Sequence, residues 1–106
     1  MSGLDDRGDA FENKYAHDAE MMFKATARRN KLLGIWLAPQ IGREDATDYA
    51  KSVVVADLEE QGDEDVVKKV MADIKAAGAS VSEEDVRAKL VELAVEAKAQ
   101  IMSEVD

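Results

Sequence analysis

Helical periodicity in four stretches, separated by one proline and two glycines, limits the possible folds of this chain more than any other feature. Pro39 disfavours helical geometry at Ala38 and ends a first helix that we predict to begin at Asp18. Gly62 and Gly78 follow two further stretches, at the place where a left-handed residue commonly ends a helix. Aromatic residues make up only 5% of the chain, too few for an aromatic-rich β-sandwich. The sequence therefore predicts an all-α protein.

The other three predicted helices cover residues 43–61, 63–77 and 82–103, and each has an apolar face. Ser82 and Asp85 have the spacing of a capping box, which marks the start of the last one. Because the connections are short, an antiparallel four-helix bundle over residues 18–106 is the economical arrangement. The predicted inward residues are Ala46, Tyr49, Ala50, Val53 and Val54; Val66, Val67, Val70, Met71 and Ile74; and Val86, Leu90, Leu93, Ala94, Ala97 and Ile101.

The first helix has apolar residues on two sides. One face holds Ala19, Met22, Phe23, Thr26, Leu33 and Leu37. Nearly opposite lie Met21, Ala25, Leu32 and Trp36. A helix of this kind must be enclosed by other helices or must offer one side to a partner.

Residues 1–17 are predicted to form a flexible N-terminal arm. Apolar residues are sparse there, charge is dense, and Gly3 and Gly8 interrupt the stretch, so little surface could be buried to offset the cost of ordering. If the arm became helical, Phe11 and Tyr15 would extend the apolar stripe of the first helix. Such segments typically bind grooves on a partner, although an uninvolved frayed terminus is equally common. The pattern leaves both interpretations open.

The net charge of −9 argues against a nucleic-acid or anionic-lipid partner, since both would repel the chain. Residues 1–31 are neutral, so residues 32–106 carry the whole excess. The longest apolar run, residues 32–38, is too short to span a bilayer, which needs about 20 apolar residues. We therefore expect a cytoplasmic protein with no direct membrane insertion.

Few residues have the character of a catalytic or metal site. His17 is the only histidine and there are no cysteines, so the four ligands of a structural zinc site are not available near it. Nucleophilic catalysis would need an activated side chain with an oriented base, which this composition does not offer. The acidic clusters at 59–65 and 83–85 resemble carboxylate pairs for acid–base work, but helix N-termini and solvated helix faces explain them. We expect no enzymatic activity, no metal and no cofactor.

Asp57 falls on the apolar face of the second helix, and a buried carboxylate is costly unless it is paired. We expect it to pair with Arg28 or Arg29. The alternative is that Arg28, Arg29 or Asp57 faces a cavity and binds a ligand.

Residues 11–38, FENKYAHDAEMMFKATARRNKLLGIWLA, resemble the zeta subunit of alpha-proteobacterial F-type ATP synthases, an ATPase inhibitor family. The similarity continues through residues 48–74 and 87–104. The most specific block runs from His17 through Arg28, Arg29, Asn30, Leu32, Leu33, Gly34 and Trp36. The resemblance implies a four-helix bundle that inhibits ATP hydrolysis by F1FO-ATP synthase.

The resemblance also implies how the inhibitor would bind. The arm, about residues 2–20, would order as a helix in the interface between catalytic subunits of F1 and reach the central stalk, with the bundle outside. Its anchors would be Phe11, Lys14, Tyr15, His17 and Asp18, followed by Met22 and Phe23. We expect the chain to be monomeric when free and peripherally associated with membrane-bound ATP synthase. Two alternatives are a small-ligand or nucleotide-binding bundle without potent inhibition, and a helical adaptor for an unrelated complex.

Overall fold

Four α-helices and one 3₁₀ turn occur in the described part of the chain. The computed structural model describes the backbone of residues 3–59 and 62–104, and the side chains of residues 19–58 and 62–104. The elements are α1 (Gly3–Leu37), the 3₁₀ turn (Ala38–Ile41), α2 (Ala46–Glu59), α3 (Asp63–Ala77) and α4 (Glu83–Glu104). No strand occurs in the described backbone. The prediction of an all-α four-helix bundle is confirmed.

The first helix is longer than predicted. It begins at Gly3, not near Asp18, and it continues without interruption to Leu37. The reason is that no proline stands within this stretch, and a glycine inside a helix costs only about 1 kcal/mol relative to alanine. The end of α1 agrees with the prediction, since Pro39 lies in the first turn of the 3₁₀ segment that follows.

A tight turn after α1 reverses the chain. Gly42 has a φ of 76°, in the left-handed region, and its N–H donates to the carbonyl of Pro39 at 3.3 Å. The N–H of Arg43 donates to the carbonyl of Ala38 at 2.8 Å. The turn takes up residues 42–45, so α2 begins at Ala46 and not at the predicted residue 43.

The third and fourth helices begin as predicted. Gly78 ends α3 with a φ of 68° and donates its N–H to the carbonyls of Ile74 and Lys75. At the start of α4, the Asp85 N–H donates to the Ser82 hydroxyl at 3.0 Å, and the Ser82 N–H donates to the Asp85 carboxylate at 3.4 Å. These reciprocal bonds confirm the capping box.

The bundle is built around the second half of α1, which packs against α2 and α4. The helices α1 and α4 run antiparallel, because Arg28 contacts Glu104 while Trp36 lies beneath Lys89. The third helix packs on α2 and meets α4 near the first turns of both, where Glu64 pairs with Arg87. In this half of α1, its two apolar sides thus face two different helices.

The core lies between these helices and consists mainly of the predicted residues. Its buried members are Leu33, Leu37, Ala38, Tyr49, Ala50, Val53, Val66, Val67, Val70, Ile74, Val86, Leu90, Leu93, Ala97 and Ile101. Ala94 was predicted to face inward, and this was wrong: it is exposed, at the edge of a groove between α1 and α4. None of the described helices has an apolar stretch long enough to cross a membrane.

Candidate functional site

Exposed apolar side chains follow the arm along α1. Met22 is 71% exposed and Phe23 is 56% exposed, although both share a stripe with the buried Leu33 and Leu37. The reason is the length of the neighbouring helices. Arg28 contacts Glu104 in the last turn of α4. The residues of α1 that precede Arg28 are therefore only partly covered by α4. Both residues were predicted as partner contacts, and their exposure leaves them available for that role.

Two grooves flank this part of α1. The groove toward α2 has a volume of about 250 Å³ and is lined by Met22, Phe23, Thr26, Ala27, Val54, Asp57, Leu58, Gly62 and Asp63. The groove toward α4 has a volume of about 590 Å³ and is lined by Met21, Met22, Ala25, Thr26, Arg29, Ala94, Lys98, Ile101 and Met102. Met22 lies on the ridge between the two grooves. Apolar surface therefore continues around α1 at the end of the bundle where the predicted arm joins it.

The other predicted anchors are Phe11, Lys14, Tyr15, His17 and Asp18. Their side chains lie outside the described residues. Their backbone belongs to α1, on the same uninterrupted helix as Met22 and Phe23. The assignment of these residues to a partner interface stays a prediction.

Arg28 joins α1 to the end of α4. Its guanidinium donates to the Glu104 carboxylate at 2.7 and 2.9 Å and to the Gln100 side chain at 2.8 Å. The hydrogen bonds from Arg28 hold the pKa of the Glu104 carboxyl below its ordinary value, and they raise the pKa of Arg28. Because Glu104 is exposed, solvent screens this pair, and we expect it to add little to stability.

Arg29 is buried and joins α1 to the start of α3. Its Nη1 lies 3.0 Å from the Asp63 carboxylate. Its Nε and Nη2 donate to the Asn30 side-chain oxygen at 3.1 and 2.9 Å. The guanidinium thus satisfies one carboxylate and one buried amide oxygen with its planar set of donors.

Asn30 is a polar residue of α1 whose burial was not predicted from the sequence. It is fully buried, and its Nδ2 group has no hydrogen-bond partner among the described residues. The signal was present, since Asn30, Leu33 and Leu37 follow the spacing of one buried helix face.

The predicted pairing of Asp57 with Arg28 or Arg29 is wrong. Asp57 is half-buried and accepts a hydrogen bond from the Gly62 N–H at 3.3 Å. The two arginines are separated by about 100° around α1, so they point to different neighbours, Glu104 and Asp63. The three side chains do not line one cavity: Arg29 lines the groove toward α4, and Asp57 lines the groove toward α2.

A second polar network lies at the α2–α3 contact. The buried Tyr49 donates its hydroxyl to Asp73 at 2.8 Å, and Lys69 lies 2.7 Å from the same carboxylate oxygen. Burial, followed by the hydrogen bond to Asp73, raises the pKa of Tyr49 well above its ordinary value. No group of three His, Asp or Glu side chains positioned to hold a metal occurs in the described part of the chain.

Comparison with known proteins identifies the family. No curated protein matches the sequence. The family described as ATPase inhibitor subunit zeta matches residues 1–100 of the 106, which include the predicted arm and nearly the whole bundle. This agrees with the resemblance of residues 11–38 and with the four-helix fold. The chain belongs to the ATPase inhibitor subunit zeta family.

Proposed function

We propose that this chain inhibits ATP hydrolysis by the F1 sector of an ATP synthase, with residues 1–17 as the inhibitory arm and residues 18–106 as the bundle. The observation that carries the proposal is the family match over residues 1–100, which includes the arm. A member of an inhibitor family acts by binding a catalytic partner, so the protein is a regulator and not itself the enzyme. It associates with the membrane-bound synthase from the cytoplasmic side.

The shape of α1 supports a wedge mechanism. The helix runs without a break from Gly3 to Leu37, so the arm and the central helix of the bundle form one element. An arm that orders as a helix between two catalytic subunits would therefore set the position of the bundle outside them. In this mechanism, Phe11 and Tyr15 supply apolar contacts, Lys14, His17 and Asp18 supply polar ones, and the tip reaches the central stalk.

Met22 and Phe23 are the two proposed contacts whose side chains the structure describes. An exposed aromatic beside an exposed methionine is typical of a binding surface, because aromatic and Met residues are enriched at interface cores. Their position marks the base of the arm, where the wedge would leave F1. We expect Phe23 to be one of the few contacts that dominate the binding energy.

The first test is ATP hydrolysis by the cognate F1 with the full chain and with a chain that lacks residues 1–17. We expect inhibition by the full chain and none by the truncated chain. Thermal unfolding of both proteins controls for folding, since the truncated chain keeps every core residue of the described part of the chain. Equal inhibition by the two proteins would disprove the role of the arm.

A point substitution gives a second test with a matched control. Phe23→Ala should raise the concentration for half-maximal inhibition by about 10-fold, the effect of losing one strong contact. Ile35→Ala is the control, because Ile35 is an exposed apolar residue of the same helix, 39% accessible, at the far end of the bundle. It should change that concentration by less than about 2-fold.

The alternative function, a small-ligand or nucleotide-binding bundle, would use the groove between α1 and α4. That groove combines apolar walls with two cations, Arg29 and Lys98, as an anionic ligand would require. Titration with ATP and ADP, followed by amide chemical shifts, tests it. Saturable shifts at residues of this groove would support ligand binding, and flat titrations would exclude these nucleotides.

A further inference from the structure

The fourth helix has a second apolar face that points away from the bundle. Its inner face buries Val86, Leu90, Leu93, Ala97 and Ile101. On the outside, Val91 and Val95 are each 70% exposed and Met102 is 55% exposed. Ala88 and Ala99 are also exposed. We call these five residues, Ala88, Val91, Val95, Ala99 and Met102, the outer stripe.

The outer stripe has the spacing of a helix-binding seam. Its members are three or four residues apart, so at about 100° per residue they fall within a sector of roughly 80°. The sector lies almost opposite the inner face. It extends over about 21 Å of helix, at 1.5 Å per residue from Ala88 to Met102. A partner helix could contact all five residues at once.

Acidic residues border this stripe. Glu84, Glu92 and Glu96 are exposed beside it. Glu92 lies 3.2 Å from Lys89, and Glu96 accepts only a long bond, 3.4 Å, from Gln100. On the other border, the charge of Arg87 is matched by Glu64 and Glu83, and Lys98 lines the groove toward α1. Glu92 and Glu96 therefore make one border of the stripe acidic, in a part of the chain, residues 32–106, that carries the whole net charge of −9.

We infer that the outer stripe of α4 docks onto a positively charged amphipathic helix of the F1 enzyme. This inference rests on the proposed function, which supplies the enzyme as partner. The apolar stripe would meet the apolar face of that helix. The basic residues of the partner helix would face Glu92 and Glu96, which favours association through charge complementarity.

A second copy of this chain fits the stripe less well. Each copy carries a net charge of −9, so two copies repel one another as they approach. The stripe is also small, with two alanines among its five residues, whereas a standard interface buries about 800 Å² on each partner. A positively charged partner would instead be attracted by the negative charge of this chain.

Because its area is small, the stripe would be a secondary contact that adds to the binding of the arm. Met102, at its end, shares the groove toward α4 with Met21 and Met22, at the base of the proposed arm. The C-terminal end of the stripe therefore lies beside the base of the proposed arm. Once the arm is seated, the stripe meets its partner at high effective concentration, and a weak contact then slows dissociation.

The experiment measures binding of the full chain to cognate F1 and, in parallel, inhibition at saturation. The double variant Val91→Gln, Val95→Gln removes the apolar stripe without adding charge or a helix breaker. We expect the Kd to rise by about 10-fold, mostly through faster dissociation, with full inhibition at saturating concentration. The control is Val55→Gln, at a residue of α2 that is 47% exposed and outside the stripe. A double variant that binds as tightly as the Val55→Gln control would overturn the inference.

A charge reversal tests the sign of the partner. Glu96→Lys should weaken binding most at low salt, whereas Glu44→Lys, in the exposed turn before α2, should have little effect. Unchanged binding by Glu96→Lys would contradict a cationic partner. Sedimentation of the free chain tests the second copy: dimers lost in the Val91→Gln, Val95→Gln variant would make another copy the occupant and overturn the proposal.

The two readouts separate this inference from the proposed function. If the wild-type chain binds F1 without inhibiting hydrolysis, the inhibitor role fails while the Kd comparison still tests the stripe. If the wild-type chain does not bind F1, both fail. If it inhibits and the stripe variant binds normally, only the docking inference fails.

Discussion

Gly34 of α1 lies so close to Ala50 of α2 that a Cβ atom at Gly34 would come within 2.5 Å of the Ala50 Cα. The Ala50 Cβ and N would lie 3.1 and 3.2 Å away. Both residues are buried at the α1–α2 contact. The glycine is therefore required by the close approach of two helix backbones, and not by a special backbone angle.

Gly34→Ala should destabilise the bundle by about 1–3 kcal/mol, because the two helices must move apart to admit a methyl group. In an open helix the same change would stabilise by about 1 kcal/mol, so the sign of the effect is diagnostic. Urea unfolding followed by circular dichroism measures it. Lys31→Ala, on the exposed side of α1, is the control and should have an effect near zero. A stabilised Gly34→Ala variant would show that the helices are not in close contact.

Adjacent arginines of α1 should differ in their contribution to stability. Arg29→Ala should cost about 2 kcal/mol, since it removes both donors that satisfy the buried oxygen of Asn30. Arg28→Ala breaks a screened pair and should cost less than about 1 kcal/mol. Chemical unfolding of the two variants under the same conditions compares them. Equal costs would mean that the burial of Arg29 is not maintained in solution.

The capping box of α4 should be measurable as a local contribution to stability. Ser82→Ala removes the hydroxyl that accepts from the Asp85 N–H, and it should cost about 1 kcal/mol. Ser80→Ala, in the exposed loop two residues earlier, makes the same chemical change without a cap. The difference between their unfolding midpoints isolates the cap. Identical unfolding midpoints for the two variants would contradict a stabilising cap at Ser82.

Tyr49 should make the protein sensitive to alkaline pH. Its pKa is raised in the folded state by burial and by the hydrogen bond to Asp73, so folding favours the neutral phenol. The resulting stability is complete below the unfolded pKa of about 10 and is lost progressively above it. Tyr49→Phe should cost about 1 kcal/mol at neutral pH and should flatten the decline of stability above about pH 10. If the two proteins lose stability in parallel between pH 9 and about 11.5, Tyr49 is not the group responsible.

The sequence predicted much of the architecture because its signals were local. Pro39 ended α1, Gly78 ended α3, and the Ser82–Asp85 pair began α4, each through geometry that depends on only a few neighbouring residues. The apolar spacing of α2 and α3 likewise identified their buried faces. The start of α1 was missed, since a charged stretch without a proline carries no local signal that forbids a helix.

Within the candidate site, the sequence by itself determined that Met22 and Phe23 belong to an apolar stripe and that the chain resembles an inhibitor family. Only the tertiary structure decided which part of each stripe is covered. Met22 is exposed because α4 reaches its last turn beside Arg28, whereas Phe23 and Ala94 are exposed because they lie at the edges of the grooves toward α2 and α4. The tertiary structure likewise decided the ion-pair and hydrogen-bond partners of Arg28, Arg29 and Asp57. A helical wheel gives the direction of a side chain, but burial and pairing depend on which other helix lies in that direction and where that helix ends.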